Sequence, residues 1–237
     1  KSSHKQNSKN RPLTKRSLFS TKGIARVNHL GTTSLRSRGA GCADTIHPKK
    51  RICTMGIKTD KLNRSFREFI EDQIMFFVAT AGPEGRVNVS PKGLDSLRIL
   101  SDQKIAWLSL TGSGNETAAH LLKNPRMTLM FCAFKGDHLI LRTYGNAKVI
   151  HPYDPEWNTH YALFPDFAGA RNIFVLSIDL VTTSCGSGVP EMSVVRSRGE
   201  TDMEPFFAEM GPEKVKEFWK KKNLTSLDDY PTEIFET

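Results

Sequence analysis

Short β-rich segments joined by short turns dominate the chain between residues 75 and 182. The segments are rich in Val, Ile, Phe and Thr, and they cover residues 75–81, 86–90, 97–100, 104–110, 126–134, 139–150 and 172–182. Because a parallel pair of strands needs a long crossover, the short connections predict antiparallel neighbours. We therefore predict a mainly β fold with flanking helices, in which six or seven antiparallel strands form a closed or partly closed barrel.

Helices are predicted at residues 59–72, 155–163 and 212–222, and a further one between residues 113 and 124. In the last of these, Ser113 and Glu116 have the Ser-x-x-Glu spacing of a capping box. The helix is expected to stop at Asn124, because a proline follows it. The segment 186–211 has no clear pattern, and no internal repeat is visible.

The formal net charge of +9 is distributed unevenly. Residues 1–54 hold thirteen basic side chains and one acid, a net charge of +12, whereas residues 55–237 carry −3. This first stretch lacks the apolar content needed to offset the entropy of ordering. We predict a disordered basic leader at residues 1–54, a barrel domain at 55–190 and a helical tail at 191–237 that packs on the barrel.

The basic leader is open to three interpretations. It is rich in Arg and Ser and poor in acids, as in an organelle transit peptide. Alternatively, it is a non-native or untargeted extension, with Met55 as the true start, or it is a functional basic arm. The expected location is the cytoplasm, or the mitochondrion or plastid if residues 1–54 are a genuine transit peptide.

Several classes of protein are excluded by composition. The mildly acidic body argues against a nucleic-acid binder. The longest apolar run, residues 74–79, is far shorter than the ~20 residues that cross a bilayer, so no membrane association is expected. Four cysteines without a paired spacing indicate neither a disulfide framework nor a metal site.

The junction between the segment 104–110 and the following helix has features of a phosphate site. Gly112 and Gly114 permit close approach of the backbone to a ligand. The helix start offers unpaired N–H groups, and nearby hydroxyls add donors. The spacing fits neither a P-loop nor a dinucleotide-binding motif. A capped helix after a turn is the simpler interpretation of the same residues.

A second candidate lies at the end of the segment 86–90. Asn88 and Ser90 fall on one face of the predicted strand, and Lys92 follows. Pro91 cannot donate to a strand ladder, so the strand is expected to end or bulge there. Lys92 is then either a charge partner for a phosphate or a solvated lysine at a strand end.

Four stretches of the sequence resemble the pyridoxamine 5′-phosphate oxidase-like family of FMN-binding split barrels. They read FVATA, RVNVSPKG, AWLSLTGSGNETAAHLLKNPRMTLMF and LILRTYGNAKVI, within a match over residues 60–190. The resemblance implies a split β-barrel and a homodimer that binds FMN between its subunits. It does not extend to residues 196–237, which differ from the segment that holds the substrate in true oxidases.

The resemblance also implies which residues hold FMN. Lys92 matches the basic residue that contacts the phosphate, and Asn88, Val89 and Ser90 match the strand beside the flavin ring. Thr111 matches the hydroxyl residue at the end of the fourth strand, and Ser113, Asn115 and Thr117 fall in the phosphate loop. The family's oxidase has an Arg-Lys pair where this chain has Glu116 and Thr117. We therefore expect the Glu116 carboxylate to turn back and cap the Ser113 N–H.

The sequence is compatible with three functions. The first is an FMN-dependent oxidoreductase acting on a small-molecule substrate or electron donor, with no assigned catalytic residue. The second is a non-catalytic flavin- or haem-binding module on the same barrel. The third, a nucleic-acid binder, depends on residues 1–54 alone.

Other chemistry-bearing side chains are expected to be structural. They are Cys185 as a structural thiol, His120 in a helix-face pair with Glu116, and Trp107, Tyr144 and Trp157 as core or dimer-interface residues. His138 and His151 have no catalytic spacing.

Overall fold

The computed structural model describes residues 56–236. Eight strands make one antiparallel sheet: β1 (Lys58–Thr59), β2 (Phe76–Ala81), β3 (Val87–Lys92), β4 (Leu97–Ser101), β5 (Lys104–Leu110), β6 (Arg126–Cys132), β7 (Leu139–Ile150) and β8 (Ala170–Cys185). The predicted mainly β, antiparallel fold is confirmed. Strand β1 was not predicted; it is two residues long, and its second residue, Thr59, is the first residue of the region predicted as helix. The predicted leader lies outside the described residues.

The sheet is curled but not closed. Its strand order is β3-β2-β6-β7-β8-β5-β4, with β1 also paired to β8. Strands β3 and β4 are therefore the two edges, and each has one hydrogen-bonded neighbour. The result is a split barrel, whose opening lies between two strands that are consecutive in the chain.

Strand β3 differs from its prediction at Pro91. The ladder with β2 continues through Pro91, opposite Phe77, and ends at Lys92, opposite Phe76. A proline is tolerated there because β3 is an edge strand and one side of its backbone needs no partner. The strand thus carries Lys92 on its last position.

Four α-helices flank the sheet: α1 (Arg64–Glu71), α2 (Glu116–Lys123), α3 (Trp157–Tyr161) and α4 (Glu204–Lys222). Asn63 caps α1 by accepting the Phe66 N–H at 2.9 Å, and α1 buries Phe66 and Ile70. Helix α2 packs on β2 and β7. A π-helical turn, Gly199–Met203, leads into α4, which is broken at Gly211. No helix within residues 56–236 is long and apolar enough to cross a membrane.

The barrel interior is the main apolar core. It contains side chains from α1, α2 and five strands, among them Trp107, Phe131 and Phe174. Trp107 stacks on Phe174 with ring centroids 4.5 Å apart and meets Phe76 edge-on. Smaller apolar clusters lie under α3 and along α4. The core therefore extends to the end of β3, where the candidate lysine lies.

Candidate functional site

Strand β3 presents different side chains on its two faces. Asn88, Ser90 and Lys92 are half-buried, whereas Val87 and Val89 are 70% and 60% exposed. The Asn88 amide donates weakly to the hydroxyls of Thr80 and Thr117, so this face lies against the start of α2. Because side chains alternate along a strand, Val89 points to the opposite face. Of the three predicted strand residues, only Asn88 and Ser90 share the face of Lys92.

Lys92 is a partly desolvated cation. Its Nζ lies 5.3 Å from the centroid of the Trp107 ring, over the barrel core. Burial, with a smaller contribution from the positive charge of Arg171, lowers the pKa of Lys92 to about 8. The side chain remains mainly protonated at neutral pH. In the described part of the chain, no carboxylate forms an ion pair with Lys92 or Arg171.

The loop before α2 offers backbone donors rather than a capped helix end. Asn115 is the N-cap residue, and its side chain makes no capping hydrogen bond. Its Nδ2 is buried without a partner among the described residues. The N–H groups of Ser113 and Asn115 likewise donate to no backbone acceptor in residues 56–236. These unpaired donors suit a ligand with several negatively charged oxygens.

The hydroxyl groups of the loop differ in availability. Ser113 is exposed. Thr111 is buried, and its Oγ1 donates to the Gly169 carbonyl at 2.7 Å and accepts from Trp219 Nε1 at 2.8 Å. Thr117 Oγ1 accepts from Asn88. Thr111 therefore anchors the loop to α4, and Ser113 is the loop hydroxyl that faces solvent.

The predicted capping box is wrong. The Glu116 carboxylate accepts the Leu227 N–H at 3.0 and 3.1 Å and does not turn back to Ser113. The partner lies 111 residues away in the chain, so the spacing of Ser113 and Glu116 did not predict it. The carboxylate is held by the C-terminal segment, which leaves the Ser113 N–H free.

The predicted helix-face pair of His120 with Glu116 is wrong, whereas the role predicted for Cys185 stays a prediction. His120 is buried and contacts Thr80 Oγ1 through Nδ1 at 3.1 Å, so it does not pair with Glu116. Cys185 is exposed, and its hydrogen bonds with the Ser187 hydroxyl and the Ser187 amide lower the pKa of its thiol. His138 reaches the same Ser187 hydroxyl at 3.3 Å.

Two of the three aromatic rings predicted as core or dimer-interface residues lie in apolar clusters, and the third lines a groove. Trp107 is fully buried, and Trp157 packs in the cluster under α3. Tyr144 instead lines a groove of about 370 Å³ on the outer face of β2, β6 and β7, together with Arg126 and Asp179. No group of three or more His, Cys, Asp or Glu in the described chain is placed to hold a metal ion.

Sequence reasoning missed Arg171 and the C-terminal residues near the loop. Arg171 donates to the Gly114 carbonyl at 2.9 Å and to Asn223 Oδ1 at 2.8 Å. Asn223 also donates to the Gly112 carbonyl at 3.0 Å. A basic residue at the start of an apolar strand was the one available signal for Arg171.

The antiparallel split barrel defines the fold class of this protein. The sequence model of the family named Pyridoxamine 5′-phosphate oxidase matches residues 62–185, just over half of the chain. The chain belongs to the pyridoxamine 5′-phosphate oxidase family.

Known proteins similar to this chain include one curated relative and several solved structures. The pyridoxamine 5′-phosphate oxidase family protein ustO of Aspergillus flavus is 37% identical over 158 residues, which are 65% of this chain and 64% of that protein, just under two thirds of its length.

The solved structures are more distant. HupZ of Group A Streptococcus has a TM-score of 0.42 and 17% identity, covering 50% of this chain and 91% of its own. HutZ, the haem storage protein of Vibrio cholerae, has a TM-score of 0.40 and 16% identity, and the match covers 53% of this chain and 97% of HutZ. A pyridoxamine 5′-phosphate oxidase-related, FMN-binding protein of Nostoc punctiforme has a TM-score of 0.36 and 14% identity. The match covers 46% of this chain and 73% of that protein. At these values the likeness says nothing about a ligand.

Proposed function

We propose that this protein binds FMN, with the FMN phosphate held by Lys92 and the loop before α2. The observation that carries the proposal is the partly buried Lys92, which has no carboxylate partner in the described chain and shares its surroundings with a second cation, Arg171. Burying a charge without a counter-charge is costly. A phosphate dianion supplies that counter-charge.

The residues around Lys92 fit a phosphomonoester. The N–H groups of Ser113 and Asn115, the buried Asn115 Nδ2 and the Ser113 hydroxyl are donors without a protein acceptor in the described chain. The α2 N-terminus adds the positive end of a helix dipole. Lys92 supplies a full positive charge, and Thr111 and Thr117 hold the loop and helix in place.

The edge strand β3 fits the rest of the cofactor. One side of its backbone has no strand partner. Backbone N–H and C=O groups along Asn88, Val89 and Ser90 are therefore available to the polar edge of a flavin ring. The side chains of Asn88 and Ser90 lie on the same face as Lys92, so one strand serves both the ring and the phosphate.

We further propose that the protein is a flavin-dependent oxidoreductase for a small-molecule substrate or electron donor. Bound FMN supplies the hydride chemistry, and the protein binds and orients the cofactor. This chemistry needs no protein nucleophile, in keeping with a site made of donors and cations. Within the residues that the structure describes, the site contains no acid–base pair beside Lys92.

Titration of the full-length protein with FMN tests both parts of the proposal. We expect saturable binding with a change in flavin absorbance and fluorescence. Anaerobic addition of reduced nicotinamide or deazaflavin donors is then expected to bleach the bound flavin. Absence of FMN binding would refute the proposed cofactor, and binding without bleaching by either donor would refute the oxidoreductase assignment.

Lys92→Ala separates the phosphate contact from the ring contacts. We expect FMN binding to weaken by about 1.5–3 kcal/mol, the range for a hydrogen bond to a charged group. Riboflavin lacks the phosphate, so its affinity should not change. Lys104→Ala is the matched control and should keep wild-type affinity for FMN. Lys104 is exposed and lies at the start of β5, at the opposite end of that strand from the loop before α2. An unchanged FMN affinity in Lys92→Ala would eliminate the phosphate assignment.

We also propose that two copies associate through the outer face of β2, β3 and β6. Val87 and Val89 are strongly exposed, and half-buried Phe77 and Met130 lie beside them. Exposed apolar surface of this kind marks an interface. The adjoining groove contains both Arg126 and Asp179, so a two-fold arrangement can bring opposite charges together.

Val89→Glu tests this association. A charge on the apolar face should convert a dimer to a monomer, because an unpaired carboxylate would be buried in both subunits. Sedimentation velocity measures the change, with Leu227→Glu, also exposed but on the C-terminal segment, as the control. A wild-type protein that sediments as a monomer at micromolar concentration would contradict the proposal.

A further inference from the structure

Arg171 lies at an irregularity in the sheet. Ser109 of β5 pairs with Asn172 and Leu110 pairs with Ala170, so Arg171 is an extra residue of β8 between two paired positions. Such a bulge redirects a side chain away from the regular face of the strand. The Arg171 side chain points to the loop before α2 and is buried, with the residue 4% exposed.

Within residues 56–236, the guanidinium of Arg171 is bonded to neutral acceptors alone. Its Nη1 donates to the Gly114 carbonyl at 2.9 Å, to Asn223 Oδ1 at 2.8 Å and, more weakly, to the Gly112 carbonyl at 3.4 Å. Its Nη2 reaches Ser109 Oγ at 3.3 Å, and its Nε has no partner in the described residues. Burial lowers the pKa of Arg171 to about 10, so the group is still charged at neutral pH.

The two carbonyl contacts determine the direction of the loop N–H groups. In a trans peptide unit the C=O and the following N–H point in opposite directions. The Gly112 and Gly114 carbonyls point toward Arg171, so the N–H groups of Ser113 and Asn115 point away from it. Neither of these two N–H groups has a backbone acceptor in residues 56–236.

Arg171 is therefore placed behind the loop, with the donor groups on the other side. A flexible Gly-x-Gly stretch samples many backbone conformations, and in most of them the two N–H groups diverge. Arg171 holds the Gly114 carbonyl at 2.9 Å and, together with Asn223 Nδ2 at 3.0 Å, the Gly112 carbonyl, which removes that freedom before a ligand arrives. A pre-organised set of donors binds an anion more strongly than a loop that must order on binding.

We propose that Arg171 is a positioning residue that orients the Ser113 and Asn115 N–H groups toward the phosphate and so makes the site selective for a phosphorylated flavin. The proposal rests on the proposed function, since the anion it serves is the FMN phosphate. Arg171 acts through the loop, whereas Lys92 contacts the anion. The role of the buried Arg171 charge, which has no carboxylate partner in the described residues, is to determine the loop conformation.

The test compares FMN with riboflavin in the full-length protein carrying Arg171→Lys or Arg171→Gln. Lysine keeps the charge but lacks the planar fork that holds both carbonyls. We expect both variants to lose at least about tenfold in FMN affinity, equivalent to one hydrogen bond to a charged group, with unchanged riboflavin affinity. The ³¹P NMR resonance of bound FMN should shift in both variants, because the N–H donors around the phosphate move.

Four other outcomes have defined meanings. An unchanged ratio of FMN to riboflavin affinity in both variants overturns the positioning role. Wild-type FMN affinity in Arg171→Lys, with weakened affinity in Arg171→Gln, also overturns the positioning role and indicates that Arg171 acts through its charge alone. If neither Arg171 variant folds, Asn223→Ala tests the loop conformation, because it removes the 2.8 Å acceptor of the guanidinium and the 3.0 Å donor to the Gly112 carbonyl; an unchanged ratio of FMN to riboflavin affinity in that variant overturns the positioning role. A wild-type protein that binds no FMN refutes the proposed function instead.

Discussion

Trp107→Ala is expected to lower the free energy of unfolding by about 3–5 kcal/mol, the range measured for removing a large buried aromatic side chain. Trp107 is fully buried at the centre of the barrel. It stacks on Phe174 and contacts Phe76, so its loss leaves a cavity lined by these two rings. The rings cannot move to fill the cavity without disturbing the pairing of strands β8 and β2, on which they lie. Urea denaturation followed by circular dichroism measures the change.

The same substitution removes the surface beneath Lys92, whose Nζ lies 5.3 Å from the Trp107 ring centroid. Trp157→Ala is the matched control. Trp157 is the first residue of α3, is half-buried and stacks on Tyr161, so its loss should cost roughly 1–2 kcal/mol, as expected for partial burial. Equal losses from the two tryptophans would show that Trp107 is not the centre of the core.

Gly145→Ala is expected to destabilise the fold by about 3 kcal/mol or more through direct overpacking. Gly145 lies at a shift in the β7–β8 register, where Asp179 is the extra residue. A Cβ at this position would lie 1.9 Å from the Ser177 carbonyl oxygen. The obstacle is backbone in the longest ladder of the sheet, so relief requires separating β7 from β8.

Thermal unfolding monitored by circular dichroism tests this prediction. Gly188→Ala is the control, because a Cβ on Gly188 would meet no heavy atom within 4 Å. We expect Gly188→Ala to melt close to the wild type and Gly145→Ala to melt far below it or to be insoluble. A Gly145→Ala protein with wild-type stability would show that β7 and β8 are more loosely paired at this point.

The strands were the part of the fold that local sequence predicted best. Residues 104–110 and 139–150 have the same bounds in the prediction and in the structure. β-Branched and aromatic residues and short polar turns act within a few residues, so each strand is encoded locally. For the helices, the predicted segment 212–222 matches the part of α4 that follows the break at Gly211, whereas the part from Glu204 to the break was not predicted. A glycine followed by a proline signals a helix boundary in the sequence, so the segment before Gly211 had no local signal that joins it to the helix after it.

The two segments of the candidate site were also visible in the sequence, as Lys92 after Pro91 and the Gly-x-Gly stretch before α2. The direction in which Glu116 turns and the contacts of Thr111 were not. Leu227 and Trp219 lie more than a hundred residues away in the chain from their partners in the loop. Their contacts depend on how α4 and the C-terminal segment pack.

The sequence by itself determined the antiparallel β architecture and the two segments that suit a phosphate, because alternation, turn residues and glycine spacing act over short distances. The tertiary structure alone decided that β3 is an edge strand, that Lys92 lies over the Trp107 ring and that Arg171 holds the Gly112 and Gly114 carbonyls. These features depend on which strands become neighbours and on what is buried between them. Burial and long-range pairing are properties of the folded chain, so no local pattern encodes them.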